Sequence, residues 1–129
     1  MKKYILIYVL VIIAAACGSE KDKAAGEQPE KKETTDLSSN PDYQKGLALI
    51  SDANNLCLTC HKIDEMLTGP SYRDVANKYE NTPANVKMLA EKIMKGGGGV
   101  WGEILMPANA SLSQADAEAI VKYILLLKK

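Results

Sequence analysis

Cys57-Leu58-Thr59-Cys60-His61 places two thiols and an imidazole within one short run of chain. Residues three apart on a helix share a face, so the thiols of Cys57 and Cys60 can both meet one edge of the same planar group. His61 follows directly and can turn its ring beneath that group. A C-x-x-C-H run suits covalent attachment of one haem. Each thiol adds to a vinyl group to give a thioether, and the imidazole ligates the iron. Leu58 and Thr59 need only permit the turn.

Two other chemistries use a C-x-x-C pair. A redox dithiol of the thioredoxin kind expects a strand before the pair and a mixed sheet around it, and the sequence offers neither. A structural zinc site needs four ligands. The chain has one His and three Cys in all, and the third, Cys17, stands far upstream. An odd cysteine count also leaves a plain disulfide framework with one thiol over. Haem attachment uses Cys57, Cys60 and His61 together, and a separate role for Cys17 would use all three cysteines without pairing them.

With the only His spent, a thioether is the expected sixth ligand, since Met/His ligation raises the potential of an electron-carrying haem. The methionines are Met1, Met66, Met88, Met94 and Met106. Met1 would leave with the expected export signal, and Met66 is too close to His61 to reach the opposite haem face. Met88 and Met94 fall in an expected helix, where packing is the ordinary role. Met106 follows a glycine-rich loop and precedes Pro107, far enough along the chain to cross over. Loop position and spacing favour Met106 above the others.

These residues need elements to hold them. The chain of 129 residues allows one ordinary domain. It carries 16 basic and 16 acidic residues, a net charge of zero, which disfavours a nucleic-acid partner. It has no Phe, one Trp and six Tyr, so its centre needs filling by something besides aromatic side chains. A buried cofactor can do that.

Lys2 and Lys3 precede an apolar stretch over residues 4–16, too short to span a bilayer comfortably but suited to a signal sequence. Ala14-Ala15-Ala16-Cys17 resembles a lipobox, with Ala14 where Leu is preferred. Cys17 is therefore the candidate for lipidation and for the mature N-terminus, with ordinary secretory cleavage near Cys17 or an uncleaved anchor as the alternatives. We divide the chain into a lipoprotein-type signal peptide at 1–16, a lipid-anchored, disordered charged linker at 17–39, and a folded domain at 40–129. The linker is rich in Lys, Glu, Ala and Thr without apolar periodicity, so it cannot bury enough surface to offset its ordering entropy. The expected location is exported, on the periplasmic or cell-surface side, held to a membrane through Cys17.

The domain reads as helices with no convincing strand. Asn40-Pro41 and Thr82-Pro83 are cap-plus-proline starts. The first helix runs through Tyr43, Leu47 and Ile50, with Gly46 on nearly the same face. A short helix holds Cys57 to His61, a third spans 71–79, and the fourth passes Val86, Leu89, Ala90 and Ile93. Gly96 to Gly99 end it. Ser113 with Asp116 resembles a capping box with a shorter acid, and Ala117, Ile120, Val121, Ile124 and Leu127 follow at helical spacing. So small a core is short of apolar packing by itself.

Three blocks occur in order: CLTCH at Cys57, GPSYRDVANKY from Gly69 to Tyr79, and GVWGEILMPAN from Gly99 to Asn109. In these blocks the chain resembles the small bacterial monohaem cytochromes c of class I, the five-fifty-one and five-fifty-two kind. The resemblance covers nearly the whole domain. It implies an all-α class I fold, four to five short helices around one covalent haem c with its iron. It further implies that Met106 is the axial thioether and that the Pro70 carbonyl accepts from the second nitrogen of His61, fixing the ring. Trp101 would pack at the haem edge with its N–H near a propionate, and Asn109 would bond near the Met106 sulfur. Lys92 stands where some relatives carry an Arg that reaches a propionate. Gly46 and Tyr123 resemble the crossing pair of the terminal helices. Each also has a plainer reading: Pro70 as a turn former, Trp101 as core, Asn109 as a loop cap.

The function expected is outer-sphere electron transfer by a carrier, not an enzyme, cycling between ferric and ferrous iron with both axial positions filled. Its partners would be a redox protein donor and acceptor, such as a respiratory complex, a reductase or a terminal oxidase. A small haem peroxidase or gas sensor is the enzymatic alternative and needs an open sixth position. A purely structural lipoprotein would carry no haem.

Overall fold

The computed structural model describes residues 36–129. The signal peptide at 1–16, Cys17 and the linker up to residue 35 lie outside the described residues. Among the described residues five α-helices follow one another: α1 (Pro41–Ser51), α2 (Cys57–Cys60), α3 (Tyr72–Lys78), α4 (Pro83–Lys95) and α5 (Gln114–Leu125). Among the described residues there is no strand, only an isolated antiparallel bridge between Gly97 and Met106. The architecture is all-α.

The helix starts lie where side-chain oxygens can satisfy free amide donors. Asn40 Oδ1 accepts from Asp42 N–H at 2.9 Å and Tyr43 N–H at 3.2 Å, with Pro41 at the first helical position. Thr82 Oγ1 accepts from Asn85 N–H at 3.2 Å ahead of α4. Ser71 and Ser113 cap α3 and α5 through Asp74 N–H at 3.0 Å and Asp116 N–H at 3.1 Å. In both, the Asp is too short to complete a reciprocal capping box. Its carboxylate instead accepts from the capping hydroxyl at 2.7 Å.

Helix α5 is the centre of the packing. One part of it joins Ile50 of α1 and Tyr72 and Ala76 of α3 through Ile120, Tyr123 and Ile124. Another part meets Val86 and Ala90 of α4 through Ala117, Val121 and Leu125. The α1–α5 crossing depends on Gly46, where a Cβ would lie 2.5 Å from Ala119 O and collide with Tyr123 Cβ. The missing side chain lets Tyr123 close in, 1% exposed and tilted against Tyr43 with ring centroids 4.9 Å apart.

The chain departs from the sequence expectation in three places. Leu37–Ser39, inside the segment assigned to the linker, forms a 3-10 turn bonded to the start of α1 through Asn40 N–H to Leu37 O at 3.0 Å. A second 3-10 turn, Ala53–Asn55, is capped by the Asp52 carboxylate. After it Leu56 adopts φ 55°, a left-handed conformation costing a non-glycine residue about 1–2 kcal/mol, and this turns the chain into α2. Finally, α2 stops at Cys60. His61 is its extended C-cap, at φ −120° and ψ 149°, and leaves the helix instead of continuing it.

Candidate haem site

Helix α2 presents Cys57 and Cys60 half-buried and without a disulfide. The Cys57 thiol lies 3.5 Å from the carbonyl oxygen of Asn55, the carbonyl that also accepts from Asn109 Nδ2 at 3.1 Å. Burial pushes the Cys57 thiol above its ordinary pKa, because a thiolate loses hydration there.

His61 is fixed by the segment that follows it. Gly69 N–H donates to Cys60 O at 2.9 Å, Tyr72 N–H to Lys62 O at 2.9 Å and Arg73 N–H to Ile63 O at 3.0 Å. This closes the chain after His61 into a loop and brings Pro70 O within 2.7 Å of His61 Nδ1. A carbonyl only accepts, so Nδ1 carries the proton and Nε2 keeps its lone pair for a metal. Gly69 makes room for the ring, since a Cβ there would lie 2.9 Å from Nδ1 and 3.0 Å from Nε2.

Met106 is placed by the glycine run after α4. Gly97 N–H donates to Met106 O at 2.9 Å, and Met106 N–H donates back to Gly97 O at 3.0 Å. The preceding Gly96 has φ 72°, and a Cβ there would meet Met106 O at 2.5 Å and Ala108 N at 2.8 Å. Only glycine combines that dihedral with that approach. Asn109 N–H then donates to Ile93 O at 3.0 Å, pinning the loop back onto α4.

These segments enclose one cavity of about 360 Å³. Cys57, Cys60, His61, Pro70, Trp101, Met106 and Asn109 all line it, so the candidates lying among the described residues come together. Met66, Met88 and Met94 do not line it: Met66 and Met88 are exposed, and Met94 packs against the α4–α5 core.

Two of the residues singled out by the resemblance make further contacts of their own. The Asn109 amide donates to Asn55 O at 3.1 Å, and its Oδ1 accepts from Ser111 Oγ at 2.7 Å, so it ties loop to loop. Lys92 Nζ donates to Gly98 O at 3.4 Å, within the glycine loop. Trp101 sits at the rim, 38% exposed, with Lys78 Nζ 5.5 Å from its ring centroid, a cation–π contact.

Sequence reasoning passed over three residues that shape the site: Gly69, Tyr72 and Asn55. Tyr72 stacks on His61, with ring centroids 5.3 Å apart and planes 19° from parallel. Burial first, then the nearby Cys57 and Tyr123, raises the Tyr72 hydroxyl well above the usual phenol range. Gly69 and Tyr72 flank Pro70 and Ser71 in the sequence, which is the one signal that could have singled them out.

The donor set can be tested against its candidate occupants. Among the described residues no three His, Cys, Asp or Glu side chains gather to hold a metal ion, which does not fit a structural zinc centre. The cavity fits a large apolar group: Ile104 and Leu105 line it while remaining 68% and 70% exposed. An occupant with an apolar face would cover them. With two thiols and an imidazole on the wall, the residues present fit a covalently held haem.

Comparison with known proteins agrees with that chemistry. The Cytochrome c family profile matches residues 43–128. Cytochrome c-552 of Nitrosomonas europaea is 41% identical over 86 residues, covering 67% of this chain and 82% of that protein. Cytochrome c-551 of Pseudomonas aeruginosa is 41% identical over 75 residues, covering 58% of this chain and 71% of that one. Among solved structures, wild-type Nitrosomonas europaea cytochrome c552 aligns with a TM-score of 0.58 at 40% identity, across 64% of this chain and 99% of that one.

Proposed function

The chain belongs to the cytochrome c family as a small class I monohaem type, and from that premise we propose that His61 and Met106 are its axial iron ligands. The family carries one covalently bound haem c, and the protein is a haem-containing electron carrier. Bound at this site, the haem supplies a one-electron ferric/ferrous couple.

The observation that carries the ligand assignment is the 2.7 Å contact between His61 Nδ1 and Pro70 O. It leaves Nε2 as the coordinating nitrogen and strengthens it as a donor. Cys57 and Cys60 are the thioether positions, three residues apart on α2. Met106 is the methionine lining the same cavity, and the Gly97 bridge holds its backbone in place. His61 and Met106 would together hold the iron and leave no position for a substrate. Pro70, Trp101 and Asn109 shape the haem surroundings, Asn109 by fixing the loops that carry Met106 and Cys57. The protein's own task is then to hold this geometry unchanged between oxidation states and to exclude water.

The partners of such a carrier are redox proteins, one donor and one acceptor. We place them in a respiratory chain, on the exported side, with the protein tethered through a lipid on Cys17. The basic start, the apolar run and the Ala-Ala-Ala-Cys sequence support the tether. Among the described residues no helix is long and apolar enough to cross a membrane.

Absorption spectra of the purified protein, oxidised and reduced, test the ligation. A six-coordinate low-spin spectrum that added azide or cyanide changes only slowly is the expected result. Immediate anion binding to the ferric protein would instead favour a peroxidase or gas sensor. Metabolic labelling with a fatty acid tests the tether, and a Cys17→Ala protein that still took up label would refute it.

A further inference from the structure

The hydrogen bond to Pro70 holds His61 at one point and leaves the tilt of the ring about that point soft. A second restraint acts on the face of the ring. Tyr72 lies stacked on it at 5.3 Å and 19°, within the geometry that aromatic pairs favour. Tyr72 cannot easily yield. It is 4% exposed and packs with Ile50, Ala76 and Tyr123 in the main core. Its N–H is bonded to Lys62 O at 2.9 Å, one residue past His61. Beside it, Arg73 Nη1 reaches Leu127 O at 2.6 Å, fastening the start of α3 to the end of the chain. Gly69 supplies a third restraint, its bare Cα leaving room for the imidazole and no more.

We infer that Tyr72 is a positioning residue for His61, setting the plane of the imidazole, and so the orientation in which Nε2 meets haem iron, through the stack. The inference rests on the reading of His61 as an iron ligand. Its physical content is simple. An imidazole turning about the metal–nitrogen axis changes how its π system overlaps the iron d orbitals, and the ferric state records that orientation as electronic asymmetry. A Tyr72 that only filled the core would be exchangeable for another apolar residue of similar bulk without moving that asymmetry. A Tyr72 that orients His61 would not. The core of α3 and α5 thereby reaches the metal centre through one aromatic contact, with no bond to the metal of its own.

Two measurements on the haem-loaded full chain decide the matter. In proton NMR of the reduced protein, the ring protons of a ligating His61 are displaced far upfield by the porphyrin. Cross-relaxation peaks from those protons to the Tyr72 ring are expected. Upfield imidazole protons without such peaks would overturn the stack and leave the ligation standing, whereas no upfield imidazole at all would overturn both. In the oxidised protein, Tyr72→Phe should keep the wild-type g-values and haem-methyl shift order, because the ring remains. Tyr72→Leu should change both. A folded Tyr72→Leu protein with unchanged g-values and methyl order would reduce Tyr72 to core packing and overturn the inference. If that variant does not load haem, the NMR contacts in the wild type decide alone.

Discussion

Arg73 Nη1 donates to the carbonyl oxygen of Leu127 at 2.6 Å, joining α3 to the end of the chain across 54 residues of sequence. The same guanidinium bonds the Asp64 carboxylate through Nε, so one side chain ties the loop after His61 to the C-terminus. Arg73 is the less exposed partner of that pair, at 20%. Replacement by Met keeps the aliphatic stem and removes the charged donors. Arg73→Met is expected to lower unfolding free energy by about 1.5–3 kcal/mol, the range for hydrogen bonds from charged groups. Denaturant unfolding of the haem-loaded protein checks this, and a loss within experimental error of zero would show the tie to be idle.

Several carboxylates titrate below their ordinary range. Asp64 is lowered chiefly by its bond from Arg73, Glu80 by Lys128 and Asp116 by Ser113 and then Lys45. A lowered folded pKa means the folded state prefers the ionised form. The stabilisation is therefore complete above the unfolded carboxylate range and is lost as pH falls through the folded values. All three groups are at the surface, so each contribution is small and sensitive to salt. Stability should be level between neutrality and about pH 5 and decline below about pH 4. Asp64→Asn should show a shallower acid slope than the wild type in parallel unfolding curves.

Gly46 and Tyr123 make a sharper test of the scaffold. A methyl group at position 46 would enter space held by Tyr123 Cβ and the Ala119 backbone, and neither can retreat without moving α5. Gly46→Ala should cost about 1–3 kcal/mol as overpacking, against the small gain Ala ordinarily brings within a helix. Thermal unfolding would show it as a lowered Tm, and an unchanged or higher Tm would mean the crossing is looser than described.

That crossing was legible in the sequence, as were the helix starts. Asn40-Pro41 and Thr82-Pro83 announce their caps locally, and Ala117 through Leu127 show their buried face by spacing alone. Cys57, Cys60 and His61 were legible for a chemical reason, because the motif is contiguous. What escaped was long-range or conformational. Nothing local says that Leu56 takes φ 55°, since the residue type argues against it and the surrounding chain imposes it. The Tyr72–His61 stack and the Asn109–Asn55 bond join residues whose proximity exists only once the loops have closed. Asn109 stood out by position, while its hydrogen bond goes to the Asn55 carbonyl, which no motif contains.

Met106 provides a prediction about access. Met106→Ala removes the thioether and leaves its Gly97 backbone bridge in place, so the fold should survive. The ferric variant should bind azide or cyanide at once, and its reduction potential should fall, because Met ligation holds the potential up. Met106→His should restore a closed, low-spin site at a lower potential than the wild type. Spectral titration and potentiometry read both effects, and a Met106→Ala protein as closed as the wild type would move the ligand to another residue.

On the proposed reading, Cys57 and Cys60 hold one haem covalently while His61 turns toward its iron. Intact-mass analysis of the denatured protein, paired with its pyridine haemochrome spectrum and a thiol count over residues 40–129, checks this. The expected result is the polypeptide mass plus one haem, a haemochrome of the two-thioether type, and no titratable thiol at Cys57 or Cys60. A polypeptide of bare mass with two free thiols, from cells that mature other haem proteins of this kind, would contradict it.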